Sequence, residues 1–305
     1  MPFLYIGRML SGLAAEIYVA TGTVSVMENA PSGDSRLAGS VATAANIGGA
    51  GSGILLAGFA AQYFTAALFT PFLVHAVLTV IASIALIPVR ERVSAHPASL
   101  RLRLPSIPPE SRSVFVAAAP GAITGYAVLG LFSAVSPSFL DQKLAVSSTA
   151  GTATVVFLFY GFSGLAQILL RNRADRTLML IGTIALIVSM GALGLALVQG
   201  LLLVLVMSSS LGGDGQGLLF MTGVRAIARS TAFENQAGAT TAYFVLAYLS
   251  IAVPIIGVGL VMVGAGLVGS TLIFAAAIIV GCAWGLLGLG AFSKGLVAAD
   301  THRGK

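Results

Sequence analysis

Two acidic residues fall inside long apolar stretches: Glu16 within residues 3–27 and Asp214 within residues 201–228. An ionisable side chain near the middle of a membrane span is costly, so it marks a candidate functional site. A carboxyl there could carry a proton or, when ionised, attract the cationic group of a solute. The competing interpretation is a structural hydrogen bond or a permanently held proton. We rank Asp214 above Glu16 because the glycines of Gly212–Gly217 surround it, and we expect them to leave room for water or a solute.

Arg8 lies in the same predicted helix as Glu16, near its outer end. Its long side chain either reaches the outer membrane interface or lies in a cavity as a buried cation. Eight residues separate Arg8 from Glu16, which is about 12 Å along a helix axis. We therefore expect Arg8 to influence a proton or solute at Glu16 without being its fixed ion-pair partner.

Other classes of chemistry have weaker support. Neither acid is accompanied by a nucleophile–base pair or by metal-ligand spacing, so we predict no enzyme activity, no metal site and no cofactor. The three histidines are scattered, and the single cysteine, Cys282, lies in an apolar run. The net charge of +6 comes from basic residues spread over short loops, which does not indicate a nucleic-acid partner.

The surrounding sequence must hold these residues in a lipid bilayer. Hydrophobic residues make up 57% of the chain and charged residues 9%, against about a quarter charged in soluble domains. Nine apolar stretches approach the roughly 20 residues that a helix needs to cross hydrocarbon. Their continuous apolar character favours helices over a barrel, so we predict an all-α integral membrane protein with about nine transmembrane helices. The predicted spans are 3–27, 38–63, 69–89, 114–139, 150–170, 178–198, 201–228, 237–262 and 266–291.

The long polar segment 90–112 follows the third span and contains five arginines. Guanidinium groups are costly in hydrocarbon and accumulate in cytoplasmic loops. With this segment placed inside, fourteen of the 16 Lys and Arg residues fall in cytoplasmic segments, and only Lys143 falls in an outer loop. We therefore predict a multi-pass protein of a bacterial inner membrane, with its N-terminus outside and its C-terminus in the cytoplasm.

This topology divides the chain into unequal parts. Residues 1–89 hold three spans, 90–113 form a central cytoplasmic loop, 114–291 hold six spans and 292–305 form a cytoplasmic tail. Six spans are a common half-unit of transporters, built from two inverted three-helix repeats. The three-plus-six arrangement predicts a transporter of two six-helix halves that lacks its first three helices.

Gly49, Gly53 and Gly58 lie close to one face of the second predicted helix. Gly49 and Gly53 form a GxxxG pair, a pattern that lets another backbone approach closely. We expect this face to pack against a neighbouring helix, either as plain packing or as a gate.

Two motifs in the first part of the chain resemble elements of the major facilitator superfamily (MFS). Arg8-Met-Leu-Ser11-Gly resembles the RxxQG element of the fourth helix of that family, with Ser11 in place of Gln. The run from Gly49 to Gly58 resembles the GxxxGPxxGG element in the fifth helix of its proton-coupled antiporters. In this element Ile54 replaces the proline and alanine replaces one glycine.

Two further motifs in the second part resemble the same family. Residues 171–176, with Asp175 and Arg176, resemble the acidic–basic loop between helices eight and nine. Gly212–Gly217, followed by Arg225, is similar to the tenth helix of many members. The order and spacing of all four motifs match helices four to twelve of a twelve-helix transporter, so the chain resembles an N-terminally truncated MFS member.

This resemblance implies a secondary active transporter of a small organic solute, with proton-coupled efflux as the mode that the fifth-helix element suggests. Its partners would be the lipid bilayer, the solute and protons. Because the fourth and tenth helices of the family line the central cavity, Glu16 and Asp214 would face each other across it. The alternative is a truncated membrane fragment or scaffold that inserts without moving a solute.

Overall fold

The computed structural model describes residues 35–67, 69–88, 105–145 and 147–287, and short runs of residues between 5 and 26. These residues form helices joined by turns, and no β-strand occurs among them. Five of the described helices are long and apolar enough to cross a bilayer. The predicted all-α membrane class is confirmed.

Two described helices precede the central polar segment. Helix α1 is Ser35–Tyr63 and helix α2 is Thr70–Leu86. A proline occupies the first turn of α2, where its lack of an N–H costs no helical hydrogen bond. With 17 residues, α2 is about 26 Å long and shorter than the span predicted at 69–89. None of its residues is buried.

The remaining helices follow a single 3-10 turn at Pro109–Ser111. They are α3 (Arg112–Leu144), α4 (Thr149–Leu170), α5 (Asp175–Gln199), α6 (Leu202–Ser230) and α7 (Phe233–Leu287). Turns of a few residues join them, so consecutive helices run antiparallel. Each predicted span from 114–139 onward overlaps one of these helices, while the total of nine spans stays a prediction.

Local sequence explains several helix ends. The Ser148 hydroxyl accepts a hydrogen bond of 2.9 Å from the Gly151 N–H and thereby caps the first turn of α4. Gly200 ends α5 with a φ of 68°, in the left-handed conformation that glycine adopts without steric cost. These signals stop and restart the chain within a few residues, which allows tight turns between neighbouring helices.

Gly266 divides α7 into two arms, 233–265 and 267–287, because its φ of 67° and ψ of −179° are not helical. An unbroken helix of 55 residues would be about 80 Å long, far beyond the roughly 30 Å of a hydrocarbon core. The arms instead lie side by side, with the Phe274 ring against Gly257. The first arm of α7 therefore covers the span predicted at 237–262, and the second arm covers residues 267–287 of the span predicted at 266–291.

Helix α6 lies at the centre of the bundle and packs against α3, α4 and α5. Helix α3 also packs along α7, and α1 packs on α4. The consecutive helices α4 and α5 hardly touch one another, because each packs on a different side of α6. The largest fully buried side chains of the core include Phe132, Phe139, Phe159, Leu186 and Tyr243.

Candidate functional site

Asp214 lies near the middle of α6, as the thirteenth of its 29 residues. The preceding Gly213 faces α4, where an added Cβ would meet the Phe159 carbonyl oxygen. The following Gly215 faces α5, where an added Cβ would lie 2.7 Å from the Gly182 carbonyl oxygen. Since consecutive residues of a helix are rotated by about 100°, the Asp214 side chain projects between α4 and α5.

The glycines around Asp214 do not leave open space, which makes the expectation from the sequence wrong. Each is buried, and an added Cβ would contact atoms of a neighbouring helix. These residues are Gly212, Gly213, Gly215 and Gly217. They let α4 and α5 approach the α6 backbone closely, as small residues commonly do between membrane helices. The cluster of glycines around Asp214 therefore indicates close packing of helices and not space for a solute.

Helices α4 and α5 hardly touch one another, so the face of α6 that carries Asp214 lies partly uncovered between them, and we call this face the α4–α5 cleft. Toward the turn at residues 171–174, Leu218 closes the cleft by packing with Ala166 of α4 and Leu178 of α5. In the opposite direction this face of α6 becomes exposed, with Met207 at 55% of its full exposure. Asp214 is half-buried between these two ends. The cleft is therefore closed at one end and open at the other.

The Asp214 carboxylate has no hydrogen-bond or ion-pair partner within the described part of the chain. The other acids with described side chains, Glu110, Asp141 and Asp175, all lie at or near helix ends. An ionised carboxylate at mid-helix depth is costly unless a cation or a proton neutralises it. The cleft thus presents a carboxylate that is available to a proton or to a cationic group.

Sequence reasoning overlooked a polar contact between α4 and α6. The Ser163 hydroxyl donates a hydrogen bond of 2.7 Å to Gln216 Oε1, and Gln167 Nε2 donates to Ser163 Oγ at 3.4 Å. All three side chains are buried, and buried amides need such partners. Two glutamines inside apolar spans were the signal that could have revealed this contact.

Serine hydroxyls form a second set of contacts on α6. Ser189 of α5 and Ser208 of α6 each donate to the other's backbone carbonyl oxygen at 2.7 Å. Ser209 donates to the Val155 carbonyl oxygen of α4 at 2.8 Å. These hydrogen bonds fix α6 against both neighbours and lie away from the face that carries Asp214.

At the closed end of the cleft, two arginines of α6 hold the turn at residues 171–174. Arg229 Nη1 lies 2.8 Å from Asp175 Oδ2, and Arg225 Nη1 donates to the Arg171 carbonyl oxygen at 3.0 Å. Asp175, singled out from the sequence, is therefore the ion-pair partner of Arg229. Its neighbour Arg176 is exposed, and a functional role for either residue stays a prediction.

Gly58 and Gly51 carry the contact between α1 and α4. An added Cβ at Gly58 would meet the Ala153 side chain, and Gly51 is likewise pressed against α4. At Gly49 and Gly53 an added Cβ would meet nothing within 4 Å in the described structure. The GxxxG pair therefore does not bring α4 close, and a gating role for Gly49 and Gly53 stays a prediction.

Arg8 and Glu16 lie outside the residues that the structure describes. The expectation that Glu16 faces Asp214 across a cavity therefore stays a prediction, as does the influence of Arg8 on Glu16.

A small cavity between α3, α5, α6 and α7 offers a different kind of space. Its volume is about 10 Å³, and its lining includes Thr124, Thr183 and Cys282. That volume holds about one water molecule. It is too small for an organic solute, so the α4–α5 cleft is the better candidate site.

Comparison with known proteins supplies the family. The sequence profile described as the Major Facilitator Superfamily matches residues 1–254. No curated protein and no solved structure matches the chain. The profile match covers the predicted first span, Asp214 and most of the helical bundle, and it confirms the resemblance found in the motifs. Because the match extends over far more than half of the sequence, the chain belongs to the Major Facilitator Superfamily of multi-pass membrane transporters.

Proposed function

We propose that this transporter exports a small organic solute in exchange for protons, and that Asp214 binds both the proton and a cationic group of the solute. The observation that carries this proposal is the half-buried Asp214 carboxyl in a cleft that is closed at one end. In the described chain no cation neutralises it. A solute cation or a proton would do so.

One carboxylate shared by two ligands is sufficient for exchange. When Asp214 is ionised, a cationic solute group lowers the cost of its charge in the bilayer. When Asp214 is protonated, the side chain is neutral and the Coulomb attraction for the cation is lost. Proton and solute therefore exclude one another, so a proton that binds from the side of higher proton concentration displaces the solute to that side.

Glu16 and Arg8 are proposed as a second acid and a modulating cation of the same pathway. Both fall in the first predicted span, which the family resemblance equates with a cavity-lining helix. Asp214 keeps the first rank because the structure describes its surroundings and Glu16 lies outside the described residues.

The two glycine contacts of α1 and the arginine contacts at the 171–174 turn are proposed to act in the conformational change. Gly58 lets α1 lie directly on α4, which is the close approach that small residues allow between membrane helices. Asp175 is 10% exposed and Arg229 is 52% exposed. An ion pair with one exposed partner is weak, so it can break and re-form as the closed end of the cleft opens.

The proposed organisation is three spans in residues 1–89, a central loop through residue 113, six spans within 114–291 and a tail after them. The contacts of α3 to α7 with one another support a six-span bundle. The arginine-rich turn at residues 171–174 would then lie on the cytoplasmic side of a bacterial inner membrane. The N-terminus would lie outside and the C-terminus inside.

The alternative is a membrane protein that inserts but does not transport by itself. Helix α2 favours it, since no residue of α2 is buried and α2 makes few contacts with α1. Membrane helices without neighbours tend to associate through close packing. This alternative predicts that the purified chain associates as its concentration rises, or unfolds at low temperature, and that it shows no flux.

Flux through the purified chain in liposomes distinguishes the two functions. Liposomes with an acidic lumen should take up fluorescent organic cations, because protons that leave the lumen drive the exchange. A protonophore should abolish this uptake, and protein-free liposomes serve as the control. Insertion without gradient-dependent uptake of any cation would favour the non-transporting alternative.

A further inference from the structure

We propose that the turn between α4 and α5 binds the phosphate group of an anionic glycerophospholipid through Arg173 and Arg176. This inference rests on the chain being a membrane protein and does not depend on the role of Asp214.

The turn lies at the level of the lipid headgroups. Helices α4 and α5 have 22 and 25 residues, which corresponds to about 33 and 38 Å, against roughly 30 Å of hydrocarbon. The turn of residues 171–174 joins these two apolar helices and therefore emerges where lipid phosphates lie. Arg173 and Arg176 are both exposed there.

The region around the turn at residues 171–174 carries an excess of positive charge. Of the acids with described side chains, only Asp175 lies at this turn, and around it lie the arginines of the turn, of the start of α5 and of the end of α6: Arg171, Arg173, Arg176, Arg225 and Arg229. The Asp175 carboxylate is already paired with Arg229 at 2.8 Å. Arg173 and Arg176 have no acidic partner within the described part of the chain. Their guanidinium groups are therefore available to an external anion.

The turn is held in place before any lipid arrives. Arg225 donates to the Arg171 carbonyl oxygen from α6, Arg229 holds Asp175, and the Arg173 N–H donates to the Leu170 carbonyl oxygen at 2.9 Å. A pre-ordered site loses less conformational entropy on binding. Guanidinium groups also match the oxygens of a phosphate in a bidentate geometry. The general excess of basic residues in cytoplasmic loops does not explain why Arg229 engages Asp175 while Arg173 and Arg176 have no acidic partner among the described residues.

The helix surfaces next to the turn suit acyl chains. Leu169 on α4 is 69% exposed and Ile184 on α5 is 55% exposed. Because α4 and α5 hardly touch each other, apolar surface of both helices stays uncovered next to the charged turn. A soluble phosphate compound would use the arginines but not this surface, so the combination favours a lipid.

The test uses the full chain in a neutral detergent and measures its melting temperature with three additives at equal concentration. The additives are short-chain phosphatidylglycerol, short-chain phosphatidylcholine and glycerol phosphate. Phosphatidylglycerol should raise the melting temperature by several degrees more than either of the others. Raising NaCl to about 1 M, where the Debye length is about 3 Å, should remove most of this difference.

The variants Arg173→Gln and Arg176→Gln should each lose at least half of the shift caused by phosphatidylglycerol. Arg112→Gln removes one exposed arginine at the start of α3 and serves as the matched control, which should keep the full shift. Equal stabilisation by glycerol phosphate would overturn the lipid as ligand. Equal stabilisation by phosphatidylcholine, or an undiminished shift in both turn variants, would overturn the site.

Discussion

Ser163 and Gln216 join α4 to α6 through a hydrogen bond of 2.7 Å from Ser163 Oγ to Gln216 Oε1. The two residues are 53 positions apart in the chain, and both side chains are buried. This bond lies on the side of α6 away from Asp214, since Gln216 follows Asp214 by two residues, or about 200° of helix rotation. Helix α6 is thus fixed by this bond on one side and carries the half-buried Asp214 on the other.

The Ser163–Gln216 bond should contribute measurably to the free energy of unfolding. A double-mutant cycle with Ser163→Ala and Gln216→Leu should give a coupling energy of about 0.6 kcal/mol and at most roughly 1.7 kcal/mol, the range found between membrane helices. Reversible unfolding in mixed micelles with rising SDS measures it. Ser210→Ala is the control, because the Ser210 hydroxyl bonds only to its own helix, at the Val206 carbonyl oxygen. A coupling energy of zero would contradict a stabilising contact between these two side chains.

Gly213→Ala should destabilise the bundle, because the added Cβ would collide with the Phe159 carbonyl oxygen of α4. Overpacking of this kind costs about 1–3 kcal/mol. Gly191→Ala is the matched control on α5, where an added Cβ meets nothing within 4 Å. The same SDS titration should show a clear loss for Gly213→Ala and little change, or a slight gain, for Gly191→Ala. Equal effects at the two sites would contradict the close contact of α6 with α4.

The variants Gly58→Ala and Gly53→Ala compare the face of α1 that packs on α4 with the face that does not. The first change should weaken the docking of α1 on α4, since its Cβ would meet Ala153, whereas the second finds open space. Melting temperatures of the purified variants check this expectation. Flux adds a second readout: a loss of flux in Gly53→Ala with an unchanged melting temperature would support the predicted gate at Gly49 and Gly53.

Reporter fusions test the proposed orientation. A fusion after Lys143 should report the outer side of the membrane, and a fusion after Arg101 should report the cytoplasmic side. The reason is the distribution of basic residues, fourteen of 16 in the segments assigned to the cytoplasm. Both reporters on one side of the membrane would refute the proposed topology.

The sequence was a good guide to the helices and to the position of Asp214 near the middle of one of them. Apolar runs near 20 residues predict spans directly, and the acid at position 214 stands out because almost every neighbour is apolar or small. The spacing of residues does not show which neighbouring helix each face of a helix contacts. Gly51 and Gly58 face α4 while Gly49 and Gly53 do not, yet all four lie in one run of small and apolar residues, so the sequence pattern cannot separate them.

The sequence also does not show which residues of distant segments contact one another. Gly212–Gly217 could hold open space or receive neighbouring backbones, and only the positions of α4 and α5 show that the glycines are packed. The pairing of Asp175 with Arg229 spans 54 positions, and no local rule assigns one arginine over another. The position of a residue along its helix was therefore predictable, whereas contacts between helices and open space required the fold.

Gradient-driven exchange in liposomes, compared between wild type and Asp214→Asn, tests the central claim most directly. Asp141→Asn is the matched control: it makes the same chemical change at an exposed acid near the end of α3, and Asn can still accept the hydrogen bond that Ser147 donates to Asp141 Oδ1. With an acidic lumen, wild type and Asp141→Asn should accumulate a fluorescent organic cation, and Asp214→Asn should lose this uptake while it keeps its melting temperature. Undiminished pH-driven uptake by Asp214→Asn would contradict the account and leave the carboxyl of Asp214 as a structural group.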